Sequence, residues 1–202
     1  MSSAIELRIG IHEHHRQAAA VLYYDAFRGL LAPVLGDADR ALPLLGEALD
    51  LRCALAATRG RELVGICGMQ HGGRHFVALK AGPLLRTFGI LDGLRRIAVG
   101  GLLDHQAGHG ELIIDGIAVL ANARGRGIGE SLLGELERFA SNHGLGTLRL
   151  DVVSDNHSAR RLYHRCGFID GPTSTSWLRR RAFGITSVTT MSKSIASTNA
   201  PR

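Results

Sequence analysis

The sequence predicts an α/β fold in which helices pack around a central sheet, and two observations support this prediction. Between residues 111 and 168, segments with strand periodicity alternate with segments of helical periodicity, as they do in chains that build a layered sheet. The composition also fits a globular domain, because 45% of the 202 residues are hydrophobic and 21% are charged. We therefore expect one domain over residues 1–195 and a disordered polar tail over residues 196–202.

The first quarter of the chain predicts one strand followed by two helices. Residues 5–9 alternate apolar and charged side chains, which is typical of a half-buried strand. Residues 12–30 carry apolar side chains at near-helical spacing, and residues 38–49 are predicted to form the second helix.

Two strands are predicted next, over residues 51–58 and 62–69, and a short turn containing Gly60 joins them. The pattern is weaker over residues 71–108, where Gly72-Gly73 and Gly82-Pro83 interrupt the chain. Residues 91–103 have helical spacing but contain glycines. A segment of this length between two strands is either functional or mobile.

The clearest periodicity begins at Glu111. Strands are predicted over residues 112–120 and 147–153, and a last strand within residues 183–191. The helix after the first of these strands has one apolar face, formed by Leu132, Leu133, Leu136, Phe139 and Ala140. The helix after the second strand has its own apolar face, formed by Ala159, Leu162, Tyr163 and Cys166. Gly144 is expected to end the first helix and Gly167 the second, with Phe168 folding back onto the last turn.

Composition and charge argue against several classes of protein. The net charge of +6 is scattered, and the densest basic run, Arg179 to Arg181, is interpreted as a solvated face rather than a nucleic-acid site. The three cysteines fit neither a disulfide framework nor a zinc pattern, and no spacing of ligands favours a metal site. The most apolar stretch, residues 88–103, is broken by charges and glycines. The first residues lack the apolar core of a signal peptide, so we expect a cytoplasmic protein that binds no membrane.

A glycine-rich turn is the most informative local feature. It reads Arg-Gly-Arg-Gly-Ile-Gly over residues 124–129, between a predicted strand and a predicted helix. Backbone N–H groups at such a junction, together with the positive end of the helix dipole, bind anions such as pyrophosphate. A dinucleotide fingerprint starting at Gly125 fails because its sixth position is Glu130, and the Gly-Lys-Ser/Thr end of a P-loop is absent. An ordinary glycine-rich connection is the remaining alternative.

The turn also matches the acyl-CoA loop R/Q-x-x-G-x-G/A, and a second motif follows about thirty residues later. After the strand at residues 147–153, the chain fits N-x-x-A-x-x-L-Y-x-x-x-G-F at every fixed position. Its residues are Asn156, Ala159, Leu162, Tyr163, Gly167 and Phe168. Together the two motifs, which cover residues 111–168, resemble the GNAT (general N-acetyltransferase) superfamily.

This resemblance implies a mixed central sheet with helices on both faces and a V-shaped splay between the strands 112–120 and 147–153. It implies that acetyl-CoA, without a metal, lies in the splay. The residues that match the cofactor-binding positions are Ile117, Ala118, Val119, Arg124, Gly125, Arg126, Gly127, Ile128, Gly129, Glu130 and Asn156. The first three are expected to pair with pantetheine, and the N–H groups of residues 125–130 to hold pyrophosphate. Asn156 matches a residue that contacts the pantetheine arm, although it also suits a helix cap.

The implied activity is acetyl transfer from acetyl-CoA to a primary amine by direct attack in a ternary complex. Tyr163 matches the residue near the acetyl sulfur, where a phenol can act as general acid; its alternative role is a core aromatic. Glu111 and Asp115 are the candidate general bases, with surface carboxylates as the alternative, and a bulge at Gly116 would change which face they occupy.

The alternative function is a non-catalytic module of the same fold that binds acyl-CoA or regulates another protein. The acceptor amine, which can belong to a small molecule or a protein, is not indicated by any motif. We expect the insert at residues 71–108 to lie near the acceptor site, with Leu91 and Leu94 in a pocket wall. The alternative role of this insert is a contact between two copies of the chain in a homodimer.

Overall fold

The computed structural model describes residues 4–103, 108 and 110–195, and within these ranges seven strands form one mixed sheet. The strands are β1 (Ile5–Ile9), β2 (Ala54–Arg59), β3 (Glu62–Gln70), β4 (Glu111–Val119), β5 (Thr147–Val153), β6 (Ile169–Thr175) and β7 (Ser187–Ser194). Their order across the sheet is β1-β2-β3-β4-β5-β7-β6. Of these neighbours, β4 and β5 are parallel, and the other pairs are antiparallel.

Helices cover both faces of this sheet, which confirms the predicted fold class. The helices are α1 (Arg16–Ala26), α2 (Arg28–Leu35), α3 (Ala38–Ala48), α4 (Ala81–Gly100), α5 (Ile128–Asn142), α6 (His157–Arg165) and α7 (Trp177–Phe183). One core lies between the sheet and α1–α4, and the other lies between the sheet and α5–α6. Ile66 belongs to the first core and Cys67 to the second, because successive side chains of a strand point to opposite faces.

The parallel strands β4 and β5 separate halfway along their length. Their pairing runs from Glu111 opposite Thr147 to Ile114 opposite Leu150 and then stops. Both strands continue, β4 to Val119 and β5 to Val153, and each stays paired with its outer neighbour. The edges that face each other beyond Ile114 are therefore open, which is the V-shaped splay that the sequence resemblance implies.

A bulge marks the point at which the splay begins. Gly68 of β3 pairs with Gly116, but Met69 pairs with Ile114, so Asp115 is an extra residue in β4. Gly116 packs against an aromatic ring, because a Cβ at this position would lie 2.4 Å from Cζ of Phe27. The bulge therefore fixes both the course of β4 and the position of Asp115.

The close approach at Gly116 gives a stability prediction. Gly116→Ala should lower the free energy of unfolding by roughly 1–3 kcal/mol, because the added methyl group overpacks the contact with Phe27. The control is Gly134→Ala in α5, where a Cβ meets no atom within 4 Å; this helix-interior change should stabilise by about 0.5–1 kcal/mol. Urea unfolding measures the free energy of unfolding of both variants. If Gly116→Ala is as stable as Gly134→Ala, the Phe27 ring moves to accommodate the methyl group.

The helix predicted over residues 12–30 is wrong as a single helix. The chain forms a 3-10 turn at Glu13–His15, then α1 and α2, and the two helical segments meet at an angle of 106°. The break is at Phe27, whose φ of −117° and ψ of 24° are not helical. Packing favours the bend, since the Phe27 ring lies against Gly116 and against the Tyr23 ring, with the two ring centroids 4.6 Å apart.

The helix predicted over residues 91–103 has the wrong boundaries. It begins ten residues earlier, at Ala81, and ends at Gly100. Pro83 lies in its first turn, where the missing N–H costs nothing, so the Gly-Pro pair does not exclude a helix there. Gly89 has a φ of +77° and kinks α4 in its middle. Residues 104–107 of the insert and the tail at 196–202 lie outside the described residues.

The C-terminal part contains two elements that the sequence pattern did not predict. Strand β6 is exposed along its whole length at the sheet edge, and its register shifts between Asp170 and Thr173, around Gly171 and Pro172. Helix α7 follows it, capped by the Ser176 side chain. Before them, Gly167 has a φ of +86° and Phe168 N–H donates to the Tyr163 carbonyl, which confirms the predicted end of α6.

Among the described helices, none is by itself both long and apolar enough to cross a membrane, and one bent pair, Glu13–Ala26 with Arg28–Leu35, meets that test only when its two parts are joined.

Candidate active site

The glycine-rich turn connects the open edge of β4 to the start of α5. A 3-10 turn at Ala121–Ala123 follows β4, and α5 begins at Ile128. Gly125 and Gly127 have φ values of +73° and +75°, in the left-handed region that favours glycine. No atom lies within 4 Å of the position that a Cβ would take at either residue. Both glycines therefore lie in open space at the surface.

This turn has the geometry of an anion site. Within the part of the chain that the structure describes, the backbone N–H groups of residues 125–130 make no hydrogen bond. The N–H of Ser131 is the first to be bonded, to the Gly127 carbonyl at 2.9 Å. Unpaired N–H groups and the positive end of the α5 dipole lie together here, and both attract an anion.

Side chains around the turn have different roles. The Arg124 Nε donates to the Val119 carbonyl at 3.0 Å, which holds the turn against the end of β4. The Glu130 carboxylate forms an ion pair with Arg165, with Oε1 of Glu130 2.8 Å from Nη2 of Arg165. Gly129 allows α5 to approach α6, since a Cβ there would lie 3.1 Å from Cδ2 of Leu162.

The open edge of β4 presents alternate backbone groups. Leu120 N–H donates to the Val64 carbonyl of β3, so by alternation the N–H and C=O groups of Ile117 and Val119 point toward the splay. The backbone of Ala118 points to β3, where it is opposite Ile66. Two of the three residues expected to pair with pantetheine thus have the orientation that such pairing requires.

Asn156 caps helix α6 at the end of the splay. Its Oδ1 accepts a hydrogen bond from Ala159 N–H at 3.1 Å, so the alternative role given by the sequence is present in the structure. The residue is exposed, and the predicted contact with acyl-CoA stays a prediction.

Tyr163 lies on the buried side of α6, in the core below β3 and β4. The residue is 8% exposed and packs against Phe168 with ring centroids 5.8 Å apart. Burial raises the pKa of its phenol, and the nearby Cys67 thiol raises it further. Cys67 itself is opposite Ile117 of β4 in the sheet. The hydroxyl is protonated at neutral pH and can donate a proton.

A cavity of about 570 Å³ opens on the other face of the sheet, next to the splay. Its wall includes Ile114 and Leu150, the last paired residues of β4 and β5, so it reaches the gap between these strands. The helical walls come from α1, α2 and α4, with Arg179 from α7. No group of three potential metal ligands occurs in the described part of the chain.

The insert forms one side of this cavity, although not through the residues that the sequence analysis named. Leu84 and Ile97 of α4 line the wall. Leu91 and Leu94, which were expected to line it, are 87% and 53% exposed on the outer surface of the helix. The kink at Gly89 and the earlier start of α4 change which residues face inward, and neither could be inferred from apolar spacing.

The two candidate carboxylates lie in different surroundings. Asp115 lines the cavity, and its oxygens accept hydrogen bonds from Gln70 Nε2 at 2.5 Å and Phe76 N–H at 3.2 Å. Glu111 is not part of the cavity wall; its Oε2 lies 3.2 Å from Nη1 of Arg149 and accepts a bond from Gly108 N–H. The arrangement therefore brings Asp115, and not Glu111, to the cavity.

Gln70 is a cavity residue that was not predicted from the sequence. It is 8% exposed, it lines the cavity, and its buried Oε1 accepts no hydrogen bond from the described residues. A buried carbonyl without a partner costs roughly 1–3 kcal/mol, so this oxygen is a ready acceptor for a ligand. The available signal was a polar residue at the end of the apolar strand Glu62–Gln70, but the predicted strand stopped at Met69. Asp151 was also missed; it lines the same cavity and accepts a bond from Thr190 Oγ1 at 2.7 Å.

Comparison with known proteins agrees with this geometry. The model of the acetyltransferase (GNAT) family matches residues 47–168, which is more than half of the chain. No curated protein matches the chain. A crystal structure of an acetyltransferase is 23% identical, with a TM-score of 0.64, and the match covers 95% of this chain and 100% of that one.

Two further solved structures have the same fold. A ribosomal-protein-alanine N-acetyltransferase from Brucella melitensis is 20% identical with a TM-score of 0.62, and the match covers 94% of this chain and 99% of that one. The putative acetyltransferase yncA from Salmonella typhimurium, solved with its cofactor acetyl-CoA, is 18% identical with a TM-score of 0.58, and 98% of each chain is covered. With its splayed sheet, its glycine-rich turn and the match over residues 47–168, the chain belongs to the acetyltransferase (GNAT) family.

Proposed function

We propose that this protein transfers an acetyl group from acetyl-CoA to a primary amine, by direct attack of the amine in a ternary complex. One observation carries the proposal. The anion-binding turn, the open edge of β4 and a cavity containing a carboxylate all meet at the splay between β4 and β5. Such a junction lets two substrates approach one point from different directions, as a ternary complex requires.

The residues at the splay fit acetyl-CoA by charge and by shape. The six unpaired N–H groups of residues 125–130 suit a pyrophosphate, and the exposed Arg126 adds positive charge. The N–H and C=O groups of Ile117 and the N–H group of Val119 suit the amides of a pantetheine arm, with Asn156 as a further polar contact; the Val119 carbonyl already accepts from Arg124 Nε. When bound, acetyl-CoA supplies the activated acetyl thioester. The structural neighbour solved with acetyl-CoA supports this choice of ligand.

Two side chains have the chemistry that the transfer needs. As the new N–C bond forms, Asp115 accepts the proton of the amine, directly or through water, and its position in the cavity wall favours it over Glu111. As the C–S bond breaks, Tyr163 donates its proton to the departing sulfur, since its phenol is protonated at neutral pH. The acceptor is a small-molecule amine or a protein amine; a neighbour that acetylates a ribosomal-protein alanine supports including proteins.

The first test is binding of acetyl-CoA. Isothermal titration with EDTA present should show a dissociation constant of roughly micromolar order, and the melting temperature should rise with ligand concentration. EDTA is included because the residues proposed to bind the ligand need no metal. No heat and no thermal shift at millimolar acetyl-CoA would contradict the assignment.

The second test separates catalysis from binding alone. A library of amines, monitored by release of free CoA thiol, should contain acceptors that raise the release rate well above the background hydrolysis. A non-catalytic acyl-CoA-binding module, the alternative function, would bind acetyl-CoA, but no acceptor in the library would raise the rate of thiol release above the background. This screen also identifies the acceptor.

A further inference from the structure

We infer that the acceptor is a small amine with an apolar body, bound in the cavity beside the splay with its nitrogen at Gln70 and Asp115. This inference rests on the proposed function and specifies its substrate class. It is carried by the size of the cavity, the chemistry of its walls and the unpaired carbonyl of Gln70.

The cavity has the size and lining of a small-molecule site. Its volume of about 570 Å³ falls within the roughly 300–1,000 Å³ of sites that enclose small ligands. The helical side is apolar and aromatic, formed by Tyr23, Phe27, Leu31, Val34, Leu84 and Ile97. Such a wall stabilises an alkyl or aromatic group by removing it from water.

Two polar residues of the wall, Gln70 and Asp115, lie on neighbouring strands where the splay begins. Gln70 and Asp115 are joined by a hydrogen bond of 2.5 Å, and Gln70 Oε1 is buried without a partner among the described residues. An amine brings the N–H donors that this carbonyl lacks, and Asp115 is beside it to accept a proton. A neutral apolar molecule without a donor would leave the carbonyl unpaired.

The remaining charged groups of the wall also contact the chain itself: Asp151 accepts a hydrogen bond from Thr190 Oγ1 at 2.7 Å, and Arg179 Nη2 donates to Ser174 Oγ at 2.7 Å. Arg96 Nε is 2.7 Å from Asp92, and its guanidinium lies 3.8 Å from the centroid of the Phe88 ring. Arg149 pairs with Glu111. The arginines are therefore poorly placed to bind an acidic acceptor.

A protein N-terminus fits these walls less well. A bound peptide needs partners for its own backbone N–H and C=O groups. The backbone groups of α1, α2 and α4 are largely used within the helices, so the free backbone groups next to the cavity are confined to the open strand edges at the splay. The observations therefore favour an enclosed small amine over a peptide.

The first experiment compares acceptors on the unmodified protein. We expect kcat/KM for 2-phenylethylamine to exceed that for a peptide beginning with alanine, and that for spermidine, by at least roughly tenfold, because only the aromatic body gains from the apolar wall. A peptide or spermidine preferred over the aromatic amine would overturn the inference and leave the proposed function intact. No acetylation of any acceptor in a broad library would overturn the proposed function itself.

A pair of tryptophan variants on one helix tests the wall. Ile97→Trp fills part of the cavity and should raise KM for 2-phenylethylamine by roughly tenfold while the KM for acetyl-CoA stays unchanged. Leu94→Trp is the matched control, because Leu94 lies on the same helix but outside the wall; it should change neither KM. Equal effects of the two variants would overturn the placement of the acceptor.

Gln70→Leu tests the polar end, because leucine keeps much of the side-chain shape and removes both hydrogen-bonding atoms. We expect kcat/KM for the amine to fall by roughly 10–100-fold with the acetyl-CoA affinity unchanged. The acid limb of the pH profile should also move to higher pH, since Asp115 loses a donor that favours its ionised form. A value of kcat/KM near that of the unmodified protein, together with an unchanged pH profile, would show that the nitrogen does not lie at Gln70.

Discussion

Replacing Gly127 with Asp is expected to abolish acetyl-CoA binding while the fold is retained. The residue precedes the first turn of α5, and its N–H is one of six unpaired donors at the positive end of that helix. An Asp there adds a side chain and a negative charge where a pyrophosphate would bind. At a separation of about 4 Å and an effective dielectric constant of about 20, two like charges repel by about 4 kcal/mol, which corresponds to a loss of at least roughly 100-fold in affinity.

The matched control for this variant is Gly127→Asn. Asparagine has nearly the same shape as aspartate, and both residues tolerate the left-handed conformation that the φ of +75° requires. The Asn variant should therefore lose affinity through bulk alone, by roughly tenfold or less, while the additional loss in the Asp variant comes from charge. Both residues suit the position before a helix, so the melting temperatures should stay close to that of the unmodified protein.

Titration calorimetry with acetyl-CoA measures the two affinities, and a repeat at high salt should narrow the gap between them because salt screens exposed charges. If the Asp variant binds acetyl-CoA as tightly as the unmodified protein, the turn is not the phosphate site. If Asp and Asn lose affinity equally, the turn is sterically restricted but no anion lies near Gly127.

The conformation of the glycine-rich turn could be predicted from the sequence because it depends on the local backbone. Glycines at residues 125 and 127, placed between a strand and an amphipathic helix, predict left-handed conformations and free N–H groups from local rules alone. The end of α6 was predictable for the same reason, since Gly167 and Phe168 complete a local hydrogen-bonding pattern. The conformations of the turn and of the end of α6 are each determined by residues within a few positions of one another in the sequence.

The elements that escaped prediction depend on tertiary contacts. The break at Phe27 is favoured by packing against Gly116, which lies 89 positions further along the chain. Strand β6 has no buried face and therefore no alternation of apolar and polar residues. This segment is a strand because its backbone pairs with β7. No pattern within residues 169–175 predicts that pairing.

The residues of the cavity could not be predicted from the sequence either, and the choice between two carboxylates shows the reason. Glu111 and Asp115 are four residues apart on one strand, and local spacing left both open as bases. The bulge that singles out Asp115 arises from the register between β3 and β4. The Gln70 and Phe76 groups that hold it come from residues about forty positions earlier. Only the folded chain brings these groups together.

The Tyr163→Phe variant is expected to lower kcat by roughly 100-fold or more, which is the usual effect of removing one general acid. The ring that packs against Phe168 is kept, so the core is preserved. The hydroxyl makes no hydrogen bond to the described residues, so the free energy of unfolding should change little. Acetyl-CoA affinity should also change little, because the proton is needed only as the C–S bond breaks.

Tyr24→Phe is the matched control, since it removes a hydroxyl from another buried tyrosine. The Tyr24 hydroxyl donates to the Gly36 carbonyl at 2.9 Å, and neither residue is part of the cavity wall. This variant should lose roughly 1 kcal/mol of stability, the worth of a typical hydrogen bond, and keep its kcat. Tyr163→Phe is thus expected to lower kcat without a change in stability, and Tyr24→Phe to lower stability without a change in kcat.

The measurement must be made on an acceptor and at a pH where the chemical step limits the rate, because the CoA thiol is a good leaving group and slow product release would hide the loss of a donor. Under those conditions a solvent isotope effect on kcat should be present in the unmodified protein and reduced in Tyr163→Phe, since a proton no longer moves from the phenol in the transition state. A kcat within about threefold of the unmodified value, well below the scale of general-acid catalysis, would assign Tyr163 to the core alone. The sulfur would then take its proton from water, and the raised pKa of the phenol would be a consequence of burial without a role in transfer.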